Sequence, residues 1–217
     1  MFTPLRSINL TELFEQPIML DANILMVGIE NRVSDPNCCF ENIKTLFLIP
    51  IINSFQNIII HEEVYRELDD DCKQFLTTCN NITIVCENGL YGKDPQYTSI
   101  FNNISEHDRV QYIRMNSKDK GEVFSLAYAA FHKINYFSSK EIMVDEIVRE
   151  INDLKGIHII TFDIIVLIAF VYYNSQKIKN HNRALKSSYK KYCEDVIKRH
   201  SLPSTLGEYI QANEAFI

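Results

Sequence analysis

Short apolar runs of strand length alternate along this chain with stretches of helical period. Residues 17–20, 57–60, 82–86, 134–137 and 156–161 are brief, rich in isoleucine and valine, and show little polar alternation. Runs of that kind suit strands covered on both faces, as in a parallel sheet. Between them the period lengthens. Residues 62–77 carry Val64, Tyr65, Leu68, Cys72, Phe75 and Leu76, and predict one helix. Residues 118–133 carry Val123, Leu126, Ala127, Ala130 and Phe131 as a one-sided stripe. Residues 141–154 repeat the pattern through Ile142, Val144, Ile147, Val148 and Ile151. Residues 163–173 are apolar all round and predict a buried helix. Residues 177–200 read as a basic helix, broken by Ser201-Leu202-Pro203. Ser204 then suits the N-cap of a last helix reaching Ala215, with Glu208 in its opening turns. The stretch 87–103 lacks a clear period and reads as a flexible flap.

Strands alternating with helices predict an α/β domain with a doubly wound central parallel sheet flanked by helices. The 217 residues suit one such domain over 1–175 and a basic helical C-terminal extension over 176–217. In open parallel sheets the site lies beyond the carboxyl ends of the strands. That rule selects Asp21 after the first run, Glu62, Glu63 or Glu67 after the second, Ser138 to Glu141 after the fourth, and Thr161 to Asp163 after the fifth.

Composition sharpens this picture in three places. Six Gly and six Pro argue for regular elements and short loops, and 46% hydrophobic residues suffice for a core. The net charge of −6 excludes a generally basic nucleic-acid binder, yet it is uneven. Lys177, Lys179, Arg183, Lys186, Lys190, Lys191, Lys198 and Arg199 face only Glu194 and Asp195, so this segment is +6 and the remainder about −12. Its helix is expected to pack Ala184, Tyr192 and Val196 on the core. Cys38, Cys39, Cys72, Cys79, Cys86 and Cys193 form no C-x-x-C pair, which suits free thiols in a reducing cytoplasm. The N-terminus lacks the apolar stretch of a signal peptide, and the longest apolar run, residues 157–173, is short and interrupted by His158, Thr161 and Asp163. No membrane association is expected. The six histidines show no metal spacing, and there is no phosphate-binding glycine loop or Gly-x-Ser-x-Gly elbow.

The acids carry the candidate chemistry. A carboxylate at the end of a buried strand, as Asp21 is, costs free energy to desolvate and persists where a helix N-terminus, an arginine or a metal offsets that cost. Asp21 alone also suits a helix cap. Glu67, with Glu63 four residues before it, also suits a solvated helix face. Glu122 also suits the favourable field of a helix start.

Together the three follow a pattern. Leu20-Asp21-Ala22-Asn23, then Val64-Tyr65-Arg66-Glu67-Leu68, then Asp119-Lys120-Gly121-Glu122 with Leu126-Ala127, resemble in order and strand context the acidic motifs of PIN-domain nucleases, including the VapC-type toxins. The resemblance spans about residues 18–169. It implies a PIN-like fold with Asp21, Glu67 and Glu122 as catalytic ligands of Mg²⁺ or Mn²⁺, joined by Asp163. It implies Asn23, Ser138, Lys140 and Thr161 as substrate contacts, Asn23 also orienting Asp21. The family's fourth acid follows strand four, where this chain reads Ser138-Ser139-Lys140-Glu141; Glu141 or Asp145 could substitute. Hard oxygen ligands select Mg²⁺ or Mn²⁺, which activate water and stabilise an in-line phosphodiester displacement. The implied function is a metal-dependent ribonuclease, a toxin or defence effector, with RNA as substrate and an antitoxin or a second copy as partner. The basic segment would contact RNA phosphates, with Tyr189 and Tyr192 stacking on bases. The alternatives are a PIN-like module that binds nucleic acid or protein without full catalytic power, and a small-molecule enzyme on an open sheet.

Overall fold

The structure, a computed structural model, describes residues 10–26, 40–110, 120–178, 181–193, 197–198 and 201–214. Cys38, Cys39, Asp119, Lys179, Glu194, Asp195, Val196, Arg199 and Ala215 lie outside these residues, as do the side chains of Lys191 and Tyr192. In chain order the main elements are α1 (Leu10–Glu15), β1 (Ile18–Leu20), α2 (Ala22–Leu25), α3 (Phe40–Ile43), α4 (Ile49–Ser54), β2 (Ile58–His61), α5 (Glu62–Glu67), α6 (Asp70–Leu76), β3 (Ile82–Val85), α7 (Pro95–Ser105), α8 (Lys120–His132), β4 (Tyr136–Ser138), α9 (Ile142–Glu150), β5 (His158–Ile160), α10 (Phe162–Ser175), α11 (Asn182–Tyr192) and α12 (Leu206–Ala212).

The five strands form one parallel sheet in the order β3-β2-β1-β4-β5. The chain winds from β1 through β2 to β3 in one direction, then crosses to β4 and β5 on the other side. The switch point, where ligands bind in such sheets, therefore lies between the carboxyl ends of β1 and β4. Here Leu20 pairs with Ser138, and Ser138 pairs in turn with Ile160.

The pleat sends alternate residues to opposite faces. Ile18, Leu20, Ile58, Ile60, Tyr136 and Ile160 join one buried cluster, with α4, α10 and the C-terminal helices. Met19, Phe137 and Ile159 join the other, with α7, α8 and α9. This double cover explains why the strand runs read as almost continuously apolar. The apolar segment after β5 becomes α10, whose residues Phe162 to Ala169 are all buried. Among the described residues no helix is long and apolar enough to cross a membrane.

Four local expectations need correction. The single helix expected over 62–77 is two helices. Leu68 turns extended, and Asp69 starts α6 by accepting the Cys72 N–H at 2.8 Å. Aspartate favours this role because its short side chain reaches the orphan N–H groups of a first turn. The second half of the stretch read as a flap is helical: Asp94 accepts the N–H groups of Gln96 and Tyr97 at 2.8 and 3.0 Å, and Tyr97, Ile100 and Ile104 of α7 are buried. Residues 40–54, to which the sequence pattern assigned no element, run helically through α3, a π-helical turn at Lys44–Leu48 and α4. In the basic segment, Leu185, Tyr189 and Cys193 are the buried residues, while Ala184 is only half-buried. Tyr189, expected to stack on bases, is therefore inside the protein.

Candidate active site

Three elements converge at the switch point. Asp21 follows β1 with extended backbone (φ −89°, ψ 158°), and its N–H donates to the Ser138 carbonyl at 3.1 Å. That bond extends the β1–β4 ladder by one residue and fixes where the Asp21 carboxyl emerges. Although Asp21 stands at the start of α2, it makes no side-chain capping bond of the N-cap kind. Its carboxyl instead meets the Glu122 carboxyl, the Ala22 N–H and the Ser139 hydroxyl, with Glu67 close enough to repel it.

Asp21 is only 3% exposed. Burial lifts its pKa from 3.8 to about 7, and the Glu67 charge adds to the rise; hydrogen bonds from Glu122, Ala22 and Ser139 oppose it. Two carboxyls in hydrogen-bond contact must share a proton, because neither can donate when both are ionised.

Glu122 lies in the first turn of α8 and is 5% exposed. Its approach depends on the residue before it. The Gly121 N–H donates to Glu67 Oε1 at 3.3 Å. A Cβ on Gly121 would stand 2.9 Å from Val64 Cγ2 and 3.1 Å from Glu67 Oε1. Glycine thus lets the start of α8 lie directly on α5, and this contact sets Glu67 against the turn that carries Glu122. Helix α5 is itself held by His61, whose Nδ1 accepts the Glu63 N–H at 3.2 Å. His61 is wholly buried against Phe124 and Tyr128 of α8, and burial lowers its pKa from 6.5 to about 4.

Ser139 ties the site together, and the sequence singled it out only as part of a missing acidic motif. It is wholly buried. Its hydroxyl donates to Asp21 Oδ2 at 3.3 Å and accepts from Asn23 Nδ2 at 3.2 Å and the Glu141 N–H at 3.1 Å. One donor and two acceptors are the full capacity of a hydroxyl. Asn23 completes the clamp by accepting the Lys140 N–H at 3.0 Å. Asn23 therefore reaches Asp21 through Ser139.

The other expected residues fall elsewhere. Asp163 is buried in the packing of the C-terminal helices. Thr161 donates to its Oδ1, and Tyr209 of α12 donates to its Oδ2 at 2.6 Å. That hydrogen bond engages the Thr161 hydroxyl. Ser138 is wholly buried and donates to the Ile160 carbonyl at 3.0 Å, tying β4 to β5 rather than facing a cleft. Asp145 pairs with Arg149 along α9. Lys140 is half-buried on the loop after β4. Among the described residues no three acidic, histidine or cysteine side chains already stand in ligating geometry. The Asp21 carboxyl lies against that of Glu122, and Glu67 accepts the Gly121 N–H. No family model matches the chain, and no curated protein matches it.

Proposed function

We propose that the chain is a metal-dependent ribonuclease of the PIN type that hydrolyses phosphodiester bonds in RNA, acting as a toxin or defence effector. The observation that carries this reading is the buried contact between the Asp21 and Glu122 carboxyls, with the exposed Glu67 near enough to repel Asp21, at the switch point of the sheet. Like charges brought together at that depth are costly unless a proton or a cation lies between them. The donors are hard oxygens, so Mg²⁺ or Mn²⁺ fits them better than a soft metal. Bound there by Asp21, Glu67 and Glu122, the cation would supply water activation and neutralise charge developing on the phosphate.

The remaining residues position the site. Ser139 and Asn23 hold the Asp21 carboxyl in one orientation. Gly121 sets the spacing between Glu67 and Glu122. Lys140, beside the acids on the chain, offers a positive charge to a substrate phosphate. An antitoxin partner and self-association into a homodimer belong to the same proposal.

The test is RNA cleavage by the purified chain with Mn²⁺. Asp21→Asn keeps the shape and removes the charge, and rate loss of at least about 100-fold is expected, the size typical of removing one transition-state electrostatic group. Unchanged cleavage by this variant would overturn the assignment. A second reading, a binding module without full catalytic power, is favoured by Ser139, which fills with a fully engaged hydroxyl the region where the family carries its fourth acid. RNA binding without cleavage in Mn²⁺ would select it.

A further inference from the structure

We infer that the exposed face of α11 is a phosphate track that leads single-stranded RNA toward the acidic site. The inference takes the choice of RNA from the ribonuclease reading. Helix α11 turns one side to the core through Leu185 and Tyr189, and the other to water through Arg183, Lys186, Ser187 and Lys190. The three cations recur at helical spacing on one face and extend along about 10 Å of helix. Among the described residues none of them joins an ion pair.

The direction of the stripe follows from what α11 packs on. At its start, the His181 ring stacks 4.7 Å from Tyr173, near the end of α10. At its other end, Tyr189 lies 5.2 Å from Tyr209, whose hydroxyl binds Asp163 in the first turn of α10. Helix α11 therefore runs antiparallel to α10 and returns to the carboxyl edge of the sheet. The Lys190 end of the stripe lies toward the start of α10, past the carboxyl end of β5. Asp163 follows β5, and β5 is two strand spacings, about 10 Å, from β1.

The chemistry of the face favours a polyanion strand over other acidic partners. The rest of the chain carries about −12, so a nucleic acid meets repulsion over most of the surface and attraction here. Among its described side chains the exposed face interleaves only Ser187 between Arg183 and Lys190, and offers none that is apolar to insert into a bilayer. Its single-file arrangement matches the repeating charge of a nucleic-acid backbone, and it ends at the carboxyl edge of the sheet.

The test measures binding of a fluorescent single-stranded RNA to the full chain in EDTA, where metal-dependent cleavage is off, between 50 and 200 mM salt. The variant combines Arg183→Gln, Lys186→Gln and Lys190→Gln. Its affinity should fall at least about 10-fold at the low-salt end. Its plot of log affinity against log salt should flatten by about 2, since each lost phosphate contact removes about 0.7. A control combining Lys93→Gln, Lys133→Gln and Lys155→Gln loses the same charge elsewhere and should bind as the parent does. Equal losses in both variants, no loss in the first, or no RNA binding by the parent would each overturn the track. So would stripe-dependent binding to vesicles of anionic lipid with none to RNA. Binding that depends on the stripe in a chain that fails to cleave with Mn²⁺ leaves the track standing and removes the ribonuclease reading. Cleavage that ignores the stripe variant does the reverse.

Discussion

Replacing Ser139 by alanine removes the hydroxyl acceptor of the Asn23 amide and the Glu141 N–H, and one of the donors to the buried Asp21 carboxyl. Buried groups orphaned in this way cost about 1–3 kcal/mol. Ser139→Ala is therefore expected to unfold at lower denaturant by that amount. It should also slow RNA cleavage, because Asp21 loses its orientation. His61 gives a second prediction at this scale. Its folded pKa of about 4 lies below the ordinary 6.5, so the unfolded chain binds a proton between these values that the native chain refuses. The stability His61 contributes is present above pH 6.5 and is lost as pH falls toward 4, by about 3 kcal/mol in all. Asp21, with its pKa raised, works in the opposite direction over much of that window. Only a difference between proteins isolates His61. Urea unfolding of His61→Asn, which keeps a capping acceptor, should lose less stability between pH 7.5 and 5 than the parent does.

Among the elements, the contact between α5 and α8 sets how close Glu67 comes to the turn that carries Glu122. An exposed helical glycine changed to alanine gains about 1 kcal/mol from helix propensity. At Gly121 the new Cβ would press on Val64 Cγ2 at 2.9 Å and on Glu67 Oε1 at 3.1 Å. Overpacking of a close contact costs about 1–3 kcal/mol and outweighs the propensity gain. Gly121→Ala should therefore lower the melting temperature and cleavage together. Shortening the obstacle with Val64→Ala in the same chain should recover part of the cleavage. No recovery would mean that the glycine acts through something other than this approach.

At the scale of the whole molecule, the C-terminal helices belong to the same core as the sheet. Leu185, Tyr189, Leu206 and Tyr209 are buried in the cluster that contains β1, β2 and α10. Burying four such side chains contributes on the order of 6–12 kcal/mol, comparable with the whole stability of a domain. A chain ending at Ser175 also strands Asp163 without the Tyr209 hydroxyl. It is expected to lose cooperative thermal unfolding, followed by circular dichroism, and to aggregate. A cooperative transition near that of the full chain would show that residues 176–217 are a dispensable appendage.

The sequence by itself determined the strands, their parallel class and the edge on which Asp21 and Glu67 lie, while Glu122 joined them only through the order of the motifs. These follow from local signals: apolar runs of strand length, helical stripes between them, and acids placed just past each run. Tertiary structure decided what each polar group does there. Asp163 follows β5 and Ser138 ends β4, both at the carboxyl edge like Asp21, yet one meets the Tyr209 hydroxyl and the other the Ile160 carbonyl. Ser139 became the hub of Asp21 because the β1–β4 pairing brings Asn23 and Glu141 to the same hydroxyl. Such partners lie 118 residues apart in the case of Ser139 and Asp21. Periodicity reports which face of an element is buried, but a hydrogen bond depends on where two distant elements cross, and only the packed molecule sets that.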